Sequence, residues 1–71
     1  MYIDEYNIKV LGPKWDEKRK KDIDNVEKVN ISSTDMIKTR EFLTLLEEIK
    51  HSHEGCDVQI DVTIKQHVYR D

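Results

Sequence analysis

Val58, Ile60, Val62, Ile64 and Val68 alternate with Asp57, Gln59, Asp61, Thr63 and Lys65 along the C-terminal stretch of the chain, and no other feature limits the fold as strictly. A period of two marks a β-strand with one face against a core and the other open. Residues 57 to 69 therefore read as a strand whose apolar side must be covered. A slip of one residue would turn Asp57 and Asp61 into the core, where unpaired charge is costly. The strand has one allowed inner face.

The cover comes from the segment before it. Ser32-Ser33-Thr34-Asp35 offers hydroxyl acceptors for first-turn amides and an acid for the positive end of a helix dipole, so the sequence predicts a helix starting there. At about 100° per residue, Met36, Phe42, Leu43, Leu45, Leu46 and Ile49 fall on one half of its circumference. Arg40, Glu41, Thr44, Glu47, Glu48 and His51 fall on the other half, together with Ile37, an exception to the pattern. Gly55 suits a C-terminal cap and places the helix end near His53.

Upstream, Tyr6, Ile8 and Val10 alternate with Glu5, Asn7 and Lys9, which predicts a strand over residues 2 to 11 stopped by Gly12-Pro13. Val29 and Ile31 suggest a second strand over residues 25 to 31. Two readings stay open between them. Trp15, Arg19, Ile23 and Val26 sit at helical spacing, which allows a helix over residues 14 to 26. The narrowness of that stripe favours a long charged loop over residues 14 to 24. The resulting expectation is a small β-β-α-β domain of the α+β class. Its three-stranded, mainly antiparallel sheet has spatial order 2-1-3 and is covered on one face by one helix.

A chain of 71 residues is read as a single domain, residues 1 to 71, with one thin core, and homodimerisation stays open as a way to enlarge it. Cys56 is the sole cysteine, so no internal disulfide forms. With no apolar leader in view, a cytoplasmic location is expected. Apolar residues make up only 37% of the chain, and no run approaches the roughly 20 needed to span a bilayer, so no membrane association is expected.

The net charge of −3 conceals a segregation. Residues 14 to 21 hold five bases, Lys14, Lys18, Arg19, Lys20 and Lys21, against Asp16 and Glu17, whereas residues 22 to 71 hold eleven acids against six bases. An acidic body disfavours direct nucleic-acid binding and favours a basic protein partner. Asp57 and Asp61 lie about 13 Å apart by strand geometry, and Glu41, Glu47 and Glu48 add helix carboxylates. Spaced carboxylates on a small body can occupy a groove that ordinarily takes phosphates. Trp15 or Ile37 is the apolar anchor expected beside them. The competing site is the basic run Lys18-Arg19-Lys20-Lys21, with Trp15 to stack on a base.

Catalytic and metal chemistry find little footing. His51 and His53 are about 200° apart on a helix, and neither they nor Cys56 and His67 form a spacing typical of zinc sites. Cys56 near a histidine has no recognisable oxyanion hole, and Glu47 and Glu48 diverge by about 100°. No enzyme activity, metal or other cofactor is expected.

In size, acidity and want of a catalytic motif, the chain resembles the small host-takeover proteins that bacteriophages make early in infection, including DNA-mimicking inhibitors of the nucleoid protein HU. The resemblance implies a protein-binding inhibitor that works without a cofactor. The Lys18 to Lys21 run departs from a purely acidic mimic. The sequence thus predicts an acidic protein-binding module, with a nucleic-acid-binding or regulatory domain acting through residues 14 to 21 as the alternative.

Overall fold

Tyr6, Ile8 and Val10 lie on the inner face of a central strand, and the rest of the fold is arranged around them. In the computed structural model, which describes residues 1 to 68, the elements run β1 (Tyr2–Ile3), β2 (Glu5–Asp16), β3 (Lys21–Ser33), β4 (Ile37–Lys38), α1 (Thr39–Ser52) and β5 (Gln59–Lys65). The main sheet has order β3-β2-β5 with both pairs antiparallel, which is the expected 2-1-3 arrangement. A second small sheet pairs β1 with β4.

Cross-strand rows set the inner face. Ile31, Ile8 and Val62 lie side by side, as do Val29, Val10 and Ile60. Above them α1 places Phe42 and Ile49, seven residues apart and so on one side of the helix, and these two join Ile3, Ile8 and Val10 as the buried core. The Tyr6 and Phe42 rings meet at 5.4 Å with a 59° tilt, a geometry that adds about 0.5–1.5 kcal/mol to the burial itself. Glu5, Asn7 and Lys9 face the other way, in register with Lys65, Thr63 and Asp61.

Several expectations are corrected. Gly12-Pro13 does not end the strand: β2 runs through it to Asp16, because the register skips between Gly12 and Lys14 and leaves Pro13 without a ladder partner, so its missing N–H costs no bond. Residues 14 to 24 are neither one long loop nor a helix, since only residues 17 to 20 form a turn and the rest are strand. They form the distal part of a β2–β3 hairpin, and β3 is accordingly longer than residues 25 to 31.

The helix begins at Thr39, not at residues 32 to 35. Ser33 Oγ accepts the Asp35 N–H at 3.1 Å in a local turn, and Ile37 is held extended opposite Ile3 while Thr39 N–H donates to Met1 O. Long-range pairing thus overrides a good capping sequence. Met36 lies outside the helix and is exposed, and Leu43 is also largely exposed. The helix end agrees with the reading: Ser52 is its last residue, His53 caps it, and Gly55 takes φ +82°.

β5 ends at Lys65, short of the expected residue 69, and Val68 is exposed instead of facing inward. Tyr69 lies outside the described residues.

Candidate functional site

Beyond the pair Leu11↔Gln59, β3 is the only strand among the described residues that pairs with β2, so past the contact of Gly12 with Asp57 and Val58 the hairpin leaves the body as a two-stranded arm. From Leu11 to Asp16 it extends about 17 Å at ordinary strand rise. The molecule measures 58 × 21 × 15 Å, and its radius of gyration of 15.5 Å exceeds the roughly 11 Å of a compact chain this long.

A four-residue turn, 17 to 20, closes the arm between Asp16 and Lys21. Asp16 organises it: Oδ1 accepts the Lys18 N–H at 3.0 Å, and Oδ2 lies 3.7 Å from Arg19 Nε. Lys20 supplies the left-handed residue of the turn, at φ +52°. Among the described residues Lys18, Lys20 and Lys21 form no ion pair, so their charges are presented to solvent.

Trp15 stands two residues before this turn, opposite Asp22, and is 56% exposed. It belongs to a paired strand and not to a loop, so its backbone is already ordered. The arm therefore brings Trp15, Lys18, Arg19, Lys20 and Lys21 together at one end of the molecule. Trp15 and the basic run, neighbours in sequence, are carried by one β-hairpin and not by the expected loop or helix.

The carboxylates are distributed differently. Asp61 lies on the open face of the sheet, directly across from Lys9, and its Oδ1 accepts a 2.7 Å hydrogen bond from Gln59 Nε2. Asp57 is exposed just before β5. Glu41, Glu47 and Glu48 are exposed on α1, which packs against the opposite face of the sheet, and Glu47 is 3.4 Å from Lys50 Nζ. These five acids do not form one surface. Ile37, expected as an exposed anchor, is half-buried in β4 against the core and is not available as one.

The histidines turn to separate partners. The Nδ1 atom of His51 lies 3.4 Å from Glu54 Oε2, whereas that of His53 lies 2.9 Å from the Ile49 carbonyl, which can only accept, so the Nδ1 of His53 carries the proton. Among the described residues no three of His, Cys, Asp and Glu converge as metal ligands. No helix among them is long and apolar enough to cross a membrane.

With this geometry in view, the chain was compared with protein-family models, curated proteins and solved structures, and none of them matches it.

Proposed function

We propose that this chain is a non-catalytic protein-binding module that engages a basic protein surface, with Trp15 on the β-arm as its anchor. The observation that carries the reading is the exposure of the chain's one tryptophan, 56%, on a paired strand that projects from the body. Large aromatic residues presented on an ordered backbone are typical interface hot spots, because little conformational freedom is lost when they are covered.

Outside residues 14 to 21 the chain has a net charge of −6. That field favours a basic partner surface and speeds its encounter. Where the surface is one that takes nucleic acid, occupying it inhibits the partner, which is the function of a phage-type inhibitor. The carboxylates lie on two faces, so one face carries the contact: Asp57 and Asp61, or Glu41, Glu47 and Glu48.

The test is affinity capture from bacterial lysate, treated with nuclease, with the wild-type chain, Trp15→Ala, Asp57→Asn/Asp61→Asn and Glu41→Gln/Glu47→Gln/Glu48→Gln in parallel. We expect a basic protein that is retained by the wild-type chain and released as salt shortens the screening length below about 8 Å. Trp15→Ala should weaken binding by about 2 kcal/mol. One carboxylate set should matter and the other should not. Retention unaffected by salt and by all three variants would sink the proposal.

The second reading is nucleic-acid binding by the arm tip. It is favoured by Lys18, Lys20 and Lys21, which form no ion pair among the described residues, on a two-stranded ribbon, an element that a major groove admits. It requires that oligonucleotides quench Trp15 fluorescence and that Lys20→Glu/Lys21→Glu abolishes the effect.

A further inference from the structure

The two edges of the main sheet are built differently. The β3 edge is interrupted by the register shifts opposite Val10/Leu11 and Gly12/Lys14, carries Glu27 and Lys28, and holds Asn25 at φ +60°. Bulges and charges of this kind are how natural sheets keep an edge from pairing. β5 has neither a bulge nor a left-handed residue between Gln59 and Lys65, and its two charges, Asp61 and Lys65, lie on the open face: its ladder is unbroken, its inner face is Ile60, Val62 and Ile64, and its outer edge has no neighbour among the described residues.

The inner face of β5 is also undercovered. Val62 and Ile64 remain 41% and 46% exposed although they sit beside the buried Ile8 and the ring of Tyr6, because one helix does not reach across three strands. The main chain of the same residues points outward. Asp4 N–H donates to Lys65 O, and His67 N–H donates to Asp4 Oδ2, so residues 65 and 67 turn their polar groups toward the side of the sheet where β2 lies. Alternation along the strand then turns the N–H and C=O groups of Ile60, Val62 and Ile64 to the open edge.

We propose that the chain forms a two-fold dimer in which β5 pairs antiparallel with β5 of a second copy, Val62 opposite Val62. The occupant is identified by the strand's own pattern, which is symmetric about Val62. In this register Ile60 faces Ile64 of the other copy and Asp61 faces Thr63, and on the open face Asp61 lies diagonal to Lys65, so opposite charges meet on both sides of the axis. Ile60, Val62 and Ile64 fall at the hydrogen-bonded positions and supply up to about six main-chain bonds. The product is a continuous six-stranded sheet with both helices on one face. The half-exposed side chains of Val62 and Ile64 are covered by their own equivalents.

Sedimentation over about a hundredfold dilution series reads the equilibrium. Asp61→Lys and Lys65→Asp each place like charges on both diagonals, and each should weaken self-association by about tenfold or more. An equimolar mixture of the two variants restores both attractions, and heterodimers should form in preference to either homodimer. Both positions are exposed, but Asp61 faces Lys9 and Lys65 Nζ lies 3.5 Å from Glu5 Oε2 within the same chain, so circular dichroism and a thermal melt of each variant check that the monomer fold is kept, and the preference for heterodimers in the mixture separates loss of the dimer from loss of the fold. Val62→Cys in a Cys56→Ser background should oxidise to a covalent dimer, because Cα atoms of a hydrogen-bonded pair lie about 5.5 Å apart, within disulfide reach. Amide exchange at Ile60, Val62 and Ile64 should slow as protein concentration rises. A wild-type chain that stays monomeric throughout the series, or a dimer that neither charge variant weakens and that leaves Val62→Cys uncrosslinked, overturns the proposal. Pairing of the β5 edge with a strand of a different protein and never with itself overturns it as well.

Discussion

Gly12 shows how closely the arm is fitted to the body. A Cβ added there would come within 2.9 Å of Lys28 Cε, 3.1 Å of Val58 Cγ1 and 3.2 Å of Asp57 O. The lysine end can swing away, but Asp57 and Val58 lie just before β5, and the Val58 N–H donates to Cys56 O. Gly12→Ala should therefore cost about 1–2 kcal/mol, the scale of modest overpacking, as measured by urea denaturation. A neutral result would mean that residues 56 to 58 yield. At Trp15 the residue-scale question is one of presentation: the indole is exposed where the backbone is already paired, so truncation should reduce affinity and leave stability almost unchanged.

At the scale of elements, α1 begins on suitable backbone with the wrong side chain. Lys38 occupies the N-cap at φ −67°, ψ 139° and makes no side-chain cap, while Glu41 stands three residues on. Lys38→Ser supplies a hydroxyl for a first-turn amide and completes a capping box with Glu41, which should raise stability by about 1 kcal/mol. A thermal melt that moves down would show that β4 depends on the lysine. The same element marks where sequence reasoning succeeds and where it stops. The alternation of Val58 to Ile64, the stripe carrying Phe42 and Ile49, and the order of the three main strands were all legible, because each follows from burying one face. The helix start was not. Ser32 to Asp35 is a sound local cap, and only the distant Ile3, pairing with Ile37, shows why the chain stays extended past it. The arm was hidden for the opposite reason. A two-stranded ribbon with solvent on both sides has no face to bury, so Lys14 to Asp24 shows no apolar alternation, and Gly12-Pro13 looks like a stop unless the bulge that accommodates Pro13 is known. The acidic residues could be found in the sequence, but their division between two faces depends on which side of the sheet α1 covers.

For the whole molecule, the arm and the body are separable in what holds them. Ile3, Ile8, Val10, Phe42 and Ile49, the buried core, all lie outside residues 13 to 25, and β5 pairs with β2 only up to Leu11. The arm is stabilised by its own ladder and turn. Excising residues 13 to 25 and joining Gly12 to Val26 through Asn-Gly, a pair suited to a two-residue hairpin turn, should leave the far-ultraviolet circular dichroism of the body intact. In the proposed dimer, antiparallel pairing at Val62 sends the two arms out from opposite ends of the six-stranded sheet, so each arm meets a partner without crossing the dimer axis. The shortened chain should therefore sediment as the same dimer and lose the captured partner together with its Trp15 contact. A shortened chain that still binds the partner would assign recognition to the carboxylates of the body. One that keeps partner binding but becomes monomeric would place self-association in the arm, against the β5 pairing.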